Sequence, residues 1–371
     1  MPKVLFVFGT RPEAIKLCPV ILRLRANTSL QVEVCVTAQH RGLLDQVLEA
    51  FHIKPDYDLD LMRPNQTLFQ STSAILAGLE PVLASSRPDM VLVQGDTTTT
   101  FCGALAAFYK NVAVGHVEAG LRTWDLRQPF PEEMNRVLTT RLATLHFAPT
   151  EAAANNLRGE GVPAQAIGVT GNTGIDAVLY VRDKLHSGEL RGLPWTQLDP
   201  HKKLIVVTAH RRESFGAGFE SICSALARLA NRDDVQIVYP VHPNPHVQDP
   251  VNRLLAGHPH ILLIDPLSYV PFVDLMSRAY FLITDSGGVQ EEGPSLGKPI
   301  LVMRDKTERP EAVAAGTVKL VGTDADRICR EASNLLENQE AWESMKRVHN
   351  PYGDGRASER IEGLILSFLG I

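Results

Sequence analysis

Three acids in this chain sit in places where the pattern has the chain just leaving a strand. Asp96 lies in Gln94-Gly95-Asp96-Thr97, Glu118 in Gly115-His116-Val117-Glu118-Ala119-Gly120, and Glu132 in Phe130-Pro131-Glu132-Glu133. Carboxylates brought to one place do acid–base work or stabilise a sugar cation. Each also has a local alternative. Asp96 could cap a helix, Glu132 could be a first-turn acid favoured by the helix dipole, and Glu118 could pair with Arg122 one turn on. No metal reading competes, because His116 and Glu118 are not followed by further ligands at a recognisable spacing.

A second set of residues suits an anion. Thr284-Asp285-Ser286-Gly287-Gly288-Val289-Gln290-Glu291-Glu292 follows an apolar run and opens a helical pattern. The small residues Ser286, Gly287 and Gly288 let a ligand approach the backbone. The first helical N–H groups lack partners and favour negative charge, so a diphosphate fits there, or the Gly-Gly pair is only a tight turn. Glu292, one turn further, could accept from ribose hydroxyls or be a solvated helix acid. His210 and Arg211 follow another apolar run, at the strand end where open α/β sheets bind ligands. Arg211 could grip a phosphate with two N–H groups, and His210 could donate to the bridging oxygen of a departing diphosphate. Arg11, in Gly9-Thr10-Arg11-Pro12, holds the matching place near the N-terminus, and His242 follows a strand in the second half. The G-x-G-x-x-G fingerprint is absent, so the sequence predicts no nicotinamide or flavin cofactor.

The elements that must position these groups alternate regularly. Apolar runs occur at Val4–Phe8, Val32–Val36, Met90–Val93, Val112–Val117 and Leu145–Ala148. They recur at Leu204–Val207, Val235–Tyr239, Ile261–Ile264, Phe281–Thr284 and Ile300–Met303. Each is followed by turn residues and a helical pattern, which predicts α/β structure with parallel sheets covered on both faces. A length of 371 residues suggests two domains. The pattern predicts two doubly wound, Rossmann-like units facing across a cleft, divided near Gly171–Gly174. Pro19 predicts a kink or break in the first helix.

Composition narrows the partners. A net charge of −5 with no basic stripe predicts no nucleic-acid partner. Five scattered cysteines fit small buried hydrophobes rather than a disulfide framework or zinc site. The first apolar run is too short for a secretory leader and no stretch nears a membrane span, so the expectation is a cytoplasmic protein with no membrane partner.

The segments Phe8–Lys16 (FGTRPEAIK), Thr37–Arg41 (TAQHR), Gly95–Thr100 (GDTTTT), Gly115–Arg122 (GHVEAGLR) and Pro131–Arg136 (PEEMNR) run in order along the chain. His210–Phe215 (HRRESF), Thr284–Glu292 (TDSGGVQEE), Thr307–Glu311 (TERPE) and Asn350–Gly355 (NPYGDG) continue the series. As an ordered set they resemble the non-hydrolysing UDP-N-acetylglucosamine 2-epimerases. The resemblance implies the two-domain architecture of B-type glycosyltransferases. Residues 1–172 would carry the catalytic acids, 173–355 would bind UDP, and a helix over 356–371 would return to the first domain. It implies Asp96, Glu118, Glu132 and His210 as catalytic residues. Arg11, Lys16, Arg211, Ser286, Gly287, Gly288, Glu292 and Arg309 would hold UDP or sugar, with His242 also in the cleft and Phe272 near the uracil. Some members are activated by a second UDP-GlcNAc, and Gln39, His40, Gln46 and Gln66 resemble that regulatory surface. Those members carry an arginine before the glutamine; here the position is Asn65. The family also suggests a homodimer.

The implied reaction is reversible inversion at carbon 2 of UDP-GlcNAc, giving UDP-ManNAc by elimination of UDP to a 2-acetamidoglucal and re-addition. The alternatives are hydrolysis to ManNAc and UDP, epimerisation of a modified UDP-sugar such as a diacetamido uronic acid, a glycosyltransferase, or a non-enzymatic UDP-sugar sensor.

Overall fold

The computed structural model describes residues 1–37, 41–61, 63, 65–307, 309–347 and 350–371. The chain forms two compact units: Met1–Ala177 with Gly353–Ile371, and Val178–Tyr352. The first division falls inside the helix Thr173–Ser187.

The first unit is built on a seven-stranded parallel sheet. Its strands are β1 (Lys3–Phe8), β2 (Gln31–Val36), β3 (Tyr57–Asp58), β4 (Met90–Gln94), β5 (Ala113–Val117), β6 (Leu145–Ala148) and β7 (Ile167–Val169), in the order β3-β2-β1-β4-β5-β6-β7. The second unit has six parallel strands: β8 (Lys203–Thr208), β9 (Val235–Pro240), β10 (Ile261–Ile264), β11 (Phe281–Thr284), β12 (Ile300–Val302) and β13 (Val318–Leu320), in the order β10-β9-β8-β11-β12-β13. Both are doubly wound, as the alternating apolar runs predict. In each, the winding reverses between two central strands, β1 beside β4 and β8 beside β11. The carboxyl ends of such a pair open a crevice that the crossover helices leave uncovered.

The central strands carry continuous apolar runs because both faces are covered; Val4 to Phe8 are all 0% exposed. The five cysteines are buried and unpaired. Three strands lie outside the predicted apolar runs. β3, β7 and β13 have only two or three residues, lie at sheet edges and are partly exposed, so no apolar run marks them.

The helix Arg11–Arg25 corrects the expected break at Pro19, since it runs through that residue, which is buried. The first helical turns precede it and burial holds both sides. The C-terminal helix Ala357–Leu369 belongs to the first unit. Asp176 caps it, taking the N–H groups of Ala357 and Ser358 at 3.2 and 2.8 Å. Its Glu362 takes Arg23 Nε at 2.5 Å and Asn27 Nδ2 at 3.1 Å. No helix among the described residues is long and apolar enough to cross a membrane.

Candidate active site

The acids of the first unit gather at the carboxyl ends of β4 and β5. Glu118 follows β5 directly, at φ +65°. That left-handed conformation costs a residue with a side chain about 1–2 kcal/mol. The side chain is held from two sides. Lys16, one turn into the helix after β1, pairs with Oε1. Gln94, the last residue of β4 and 3% exposed, donates from Nε2 to Oε2 at 2.5 Å. Arg122 is not the partner. Its fully buried side chain gives Nε and Nη2 to Glu160 at 2.5 and 3.1 Å and Nη2 to Thr140 at 2.8 Å.

Asp96 is not a helix cap; Thr97 takes that role, accepting the Thr100 N–H at 3.1 Å. The turn that carries Asp96 is bound to its surroundings. Gly95, at φ +73°, donates its N–H to the Val117 carbonyl at 3.0 Å. His116 donates from Nε2 to the Gly95 carbonyl at 2.7 Å. Burial pushes that imidazole down to about 3, so it is a neutral structural donor. Asn135 Nδ2 reaches the Asp96 carbonyl at 2.9 Å, and Arg136 Nη2 lies 3.0 Å from Asp96 Oδ2. Burial nevertheless pushes the Asp96 carboxyl up to about 6; Arg136 and Lys16 oppose the rise, and the charges of Glu118 and Glu132 add to it.

Glu132 does not directly follow a strand. It opens the helix Glu132–Leu142, beyond a loop that leaves β5, and stands close enough for its charge to act on Asp96. Its neighbour Glu133 is 0% exposed and structural, taking the N–H groups of Thr123 and Trp124 at 3.0 and 3.1 Å. Arg11 is half-buried at the first position of the helix Arg11–Arg25.

In the second unit the site residues sit at the ends of β8, β9 and β11. Asp285, after β11, is 0% exposed and accepts the N–H groups of His210 and Arg211 on Oδ2, at 2.6 and 2.7 Å. Its Oδ1 lies 3.3 Å from His210 Nδ1. Burial lowers the His210 pKa, Asp285 opposes this, and His242 and Arg211 reinforce it. The His242 ring stacks on His210 at 5.5 Å. Arg211 is half-buried, with Nε shielded from solvent and unbonded among the described residues.

Gly287 opens the short helix Gly287–Glu292. A Cβ there would lie 2.5–2.7 Å from the Arg309 guanidinium, so glycine is what lets Arg309 cross the helix start. Gly288 has open space, the nearest atom being Ser286 Oγ at 4.0 Å. Arg309 is held by Glu291, which takes Nε at 2.6 Å, and Thr307 is held by buried Gln290 at 2.8 Å. Asn350 secures this helix by donating to the Glu291 carbonyl at 2.7 Å. Glu292 is half-buried at the helix end, and Phe272 is half-buried on the helix Tyr269–Arg278.

Gln39 and His40 lie outside the described residues, and Gln46 is exposed on the helix Arg41–Ala50. Gln66 binds its own loop, accepting from Arg63 N at 3.1 Å and donating to the Leu61 carbonyl at 3.0 Å. Asn65 has φ +59°, a conformation asparagine tolerates better than arginine.

Sequence reasoning did not single out Gln94, Arg136, Glu13 or Asp285. Glu13 alone had a local signal, the Thr10-x-x-Glu13 pattern of a capping box. The others act through neighbours distant in sequence.

The family model described as UDP-N-acetylglucosamine 2-epimerase matches residues 22–366. The UDP-N-acetylglucosamine 2-epimerase of Escherichia coli K12 is 58% identical over 97% of each chain. The crystal structure of UDP-GlcNAc 2-epimerase from Neisseria meningitidis bound to UDP-GlcNAc is 50% identical, with a TM-score of 0.89 over 98% of this chain and 100% of that one. A kitacinnamycin glycosyltransferase, 13% identical with a TM-score of 0.63 over 98% of this chain and 99% of that one, shares the fold alone. With a family model spanning most of its length and relatives matched end to end, the chain belongs to the UDP-N-acetylglucosamine 2-epimerase family.

Proposed function

We propose that this chain reversibly inverts carbon 2 of UDP-GlcNAc to give UDP-ManNAc, without net release of free sugar. The observation that carries the reading is Asp96 and Glu118 after the ends of β4 and β5, with Glu132 near enough for its charge to act on Asp96. One of these acids has its pKa raised and another has both oxygens held by donors. A carboxyl whose pKa burial raises toward neutrality suits proton transfer.

Carbon 2 is not beside a carbonyl, so its proton is barely acidic until UDP begins to leave. In the elimination, the bond between carbon 1 and the diphosphate oxygen breaks and UDP takes its electron pair. The carbon 2 proton passes to a carboxylate, and its bonding electrons form the double bond of a 2-acetamidoglucal. Re-addition of UDP at carbon 1, with proton delivery to the opposite face of carbon 2, gives the epimer. Two faces require two proton-handling groups, which a trio of acids supplies. We assign the departing diphosphate to Ser286, Gly287, Gly288, His210, Arg211 and Arg309, with Arg11 and Lys16 as further cations. Glu292 suits the ribose, Phe272 the uracil, and His242 supports His210. Fixed donors and cations aimed at charge that grows in the transition state lower the barrier without reorganisation.

A proton NMR time course with UDP-GlcNAc in heavy water tests the reading. The expected result is UDP-ManNAc bearing deuterium at carbon 2. Full retention of the original proton overturns the mechanism. ManNAc and UDP as the main products replace it with a hydrolysing reaction.

A further inference from the structure

We propose that Glu13 is a positioning residue that fixes the acid cluster by locking the helix Arg11–Arg25 to the turn bearing Asp96. The proposal rests on the epimerase reading and adds to it a residue outside the acid trio.

Glu13 is 1% exposed. Its Oε2 takes the N–H groups of Gly9 and Thr10 at 3.1 and 2.7 Å. Its Oε1 takes the hydroxyl of Thr97 at 2.7 Å. Thr100 Oγ1 lies 3.2 Å from the same oxygen, while its one proton has a closer acceptor in the Gln94 carbonyl at 2.5 Å. A helix cap needs only the first two bonds. The third reaches across 84 residues to the residue next to Asp96.

These bonds complete a ring. Glu13 holds Thr97; the turn Gln94–Thr97 carries Asp96; Gln94 holds Glu118; Glu118 pairs with Lys16; and Lys16 lies one helical turn beyond Glu13. Removing the bond at Glu13 frees the helix that carries Lys16 from the turn that carries Asp96. The turn is then left to the bonds it makes with Val117, His116, Asn135 and Arg136, none of which comes from the helix that carries Lys16. A misplacement of about 1 Å at a reacting group can cost about 10²-fold in rate.

The chemistry of the site separates position from charge. In Glu13→Gln, the amide oxygen can accept both backbone N–H groups while the NH₂ donates to Thr97, whose hydroxyl turns toward Thr100 at 3.1 Å. Geometry survives without the charge. In Glu13→Ala and Thr97→Val the link is lost.

The experiment compares these variants with the parent chain in the heavy-water assay, with folding checked by circular dichroism and thermal melting. Glu13→Ala and Thr97→Val should lower kcat about 10²-fold with a smaller change in KM. Glu13→Gln should restore kcat to within about tenfold of the parent, as position-preserving substitutions do. The acidic limb of the kcat/KM profile, which titrates the free chain, reports Asp96, which faces Arg136, Glu118, Lys16 and Glu132. In the unlinked variants it should move down from about 6 toward the ordinary aspartate range, because the turn opens to solvent. Native kcat and an unmoved limb in Thr97→Val overturn the proposal, and so does a Glu13→Gln as inactive as a folded Glu13→Ala. If Glu13→Ala does not fold, Thr97→Val and Glu13→Gln decide the matter. A parent chain that exchanges no deuterium refutes the epimerase reading instead.

Discussion

Glu118→Gln tests the chemistry most directly, because the structure separates its effect on turnover from its effect on folding. Glutamine keeps the shape and can keep two contacts. Its carbonyl can face Lys16, and its amide can donate to Gln94 if that side chain turns its own amide over. What is lost is the negative charge beside Lys16, in a pair whose side chains are 19% and 14% exposed. Breaking an exposed pair costs about 0–1 kcal/mol and a sealed one about 3–5. With the hydrogen bond to Lys16 retained, about 1–2 kcal/mol of stability should go. The effect on rate is larger. A well-placed acid or base contributes about 10²–10⁴-fold, which is about 2.7–5.5 kcal/mol of barrier. UDP affinity should change far less than turnover, since the diphosphate is assigned mainly to residues of the second unit and Lys16, the partner of Glu118, only adds a further cation. The assays are deuterium incorporation at carbon 2, UDP titration by calorimetry, and urea denaturation. Near-native turnover in a folded Glu118→Gln would refute the role given to Glu118. A loss of UDP binding as large as the loss of turnover would refute the division of labour.

Asp96 makes a pH prediction. It holds its proton up to about pH 6 in the folded chain, against about 3.9 for a free aspartate. The folded state therefore binds more protons between those values, and the contribution of Asp96 to stability is full below pH 4 and lost as pH rises through 6. Asp96→Asn, which cannot ionise, should gain on the parent between pH 4 and 7 in urea denaturation; parallel pH curves would contradict the burial argument. Arg122→Ala should lower stability by about 3–5 kcal/mol by stranding Glu160, yet leave kcat per folded molecule intact. A selective loss of kcat would return Arg122 to the site. Gly288→Ala has open space above it and should keep or raise the melting temperature, the usual gain being about 0.4–1 kcal/mol. It should weaken UDP binding about tenfold or more, as overpacking of about 1–3 kcal/mol at a close contact does; unchanged affinity on calorimetry would remove the helix start from the diphosphate site.

The amino-acid sequence by itself determined the architecture. Strands buried on both faces must be continuously apolar, so nine of the ten apolar runs mark inner strands of the two sheets, and the tenth is the partly buried edge strand β10. It also marked where chemistry could sit, because ligand-binding groups of such sheets follow strand ends, as Asp96, Glu118, His210 and Ser286 do. Tertiary structure decided which group answers to which. Arg122 is near Glu118 in sequence but bound to Glu160, while Lys16, 102 residues away, is the true partner. Asp285 holds a backbone 74 residues upstream, and Glu13 binds a hydroxyl 84 residues downstream. Periodicity and propensity report what each residue does within a few positions of itself. A hydrogen bond between strand ends depends on which strands lie side by side, and that is settled only when the sheet is assembled.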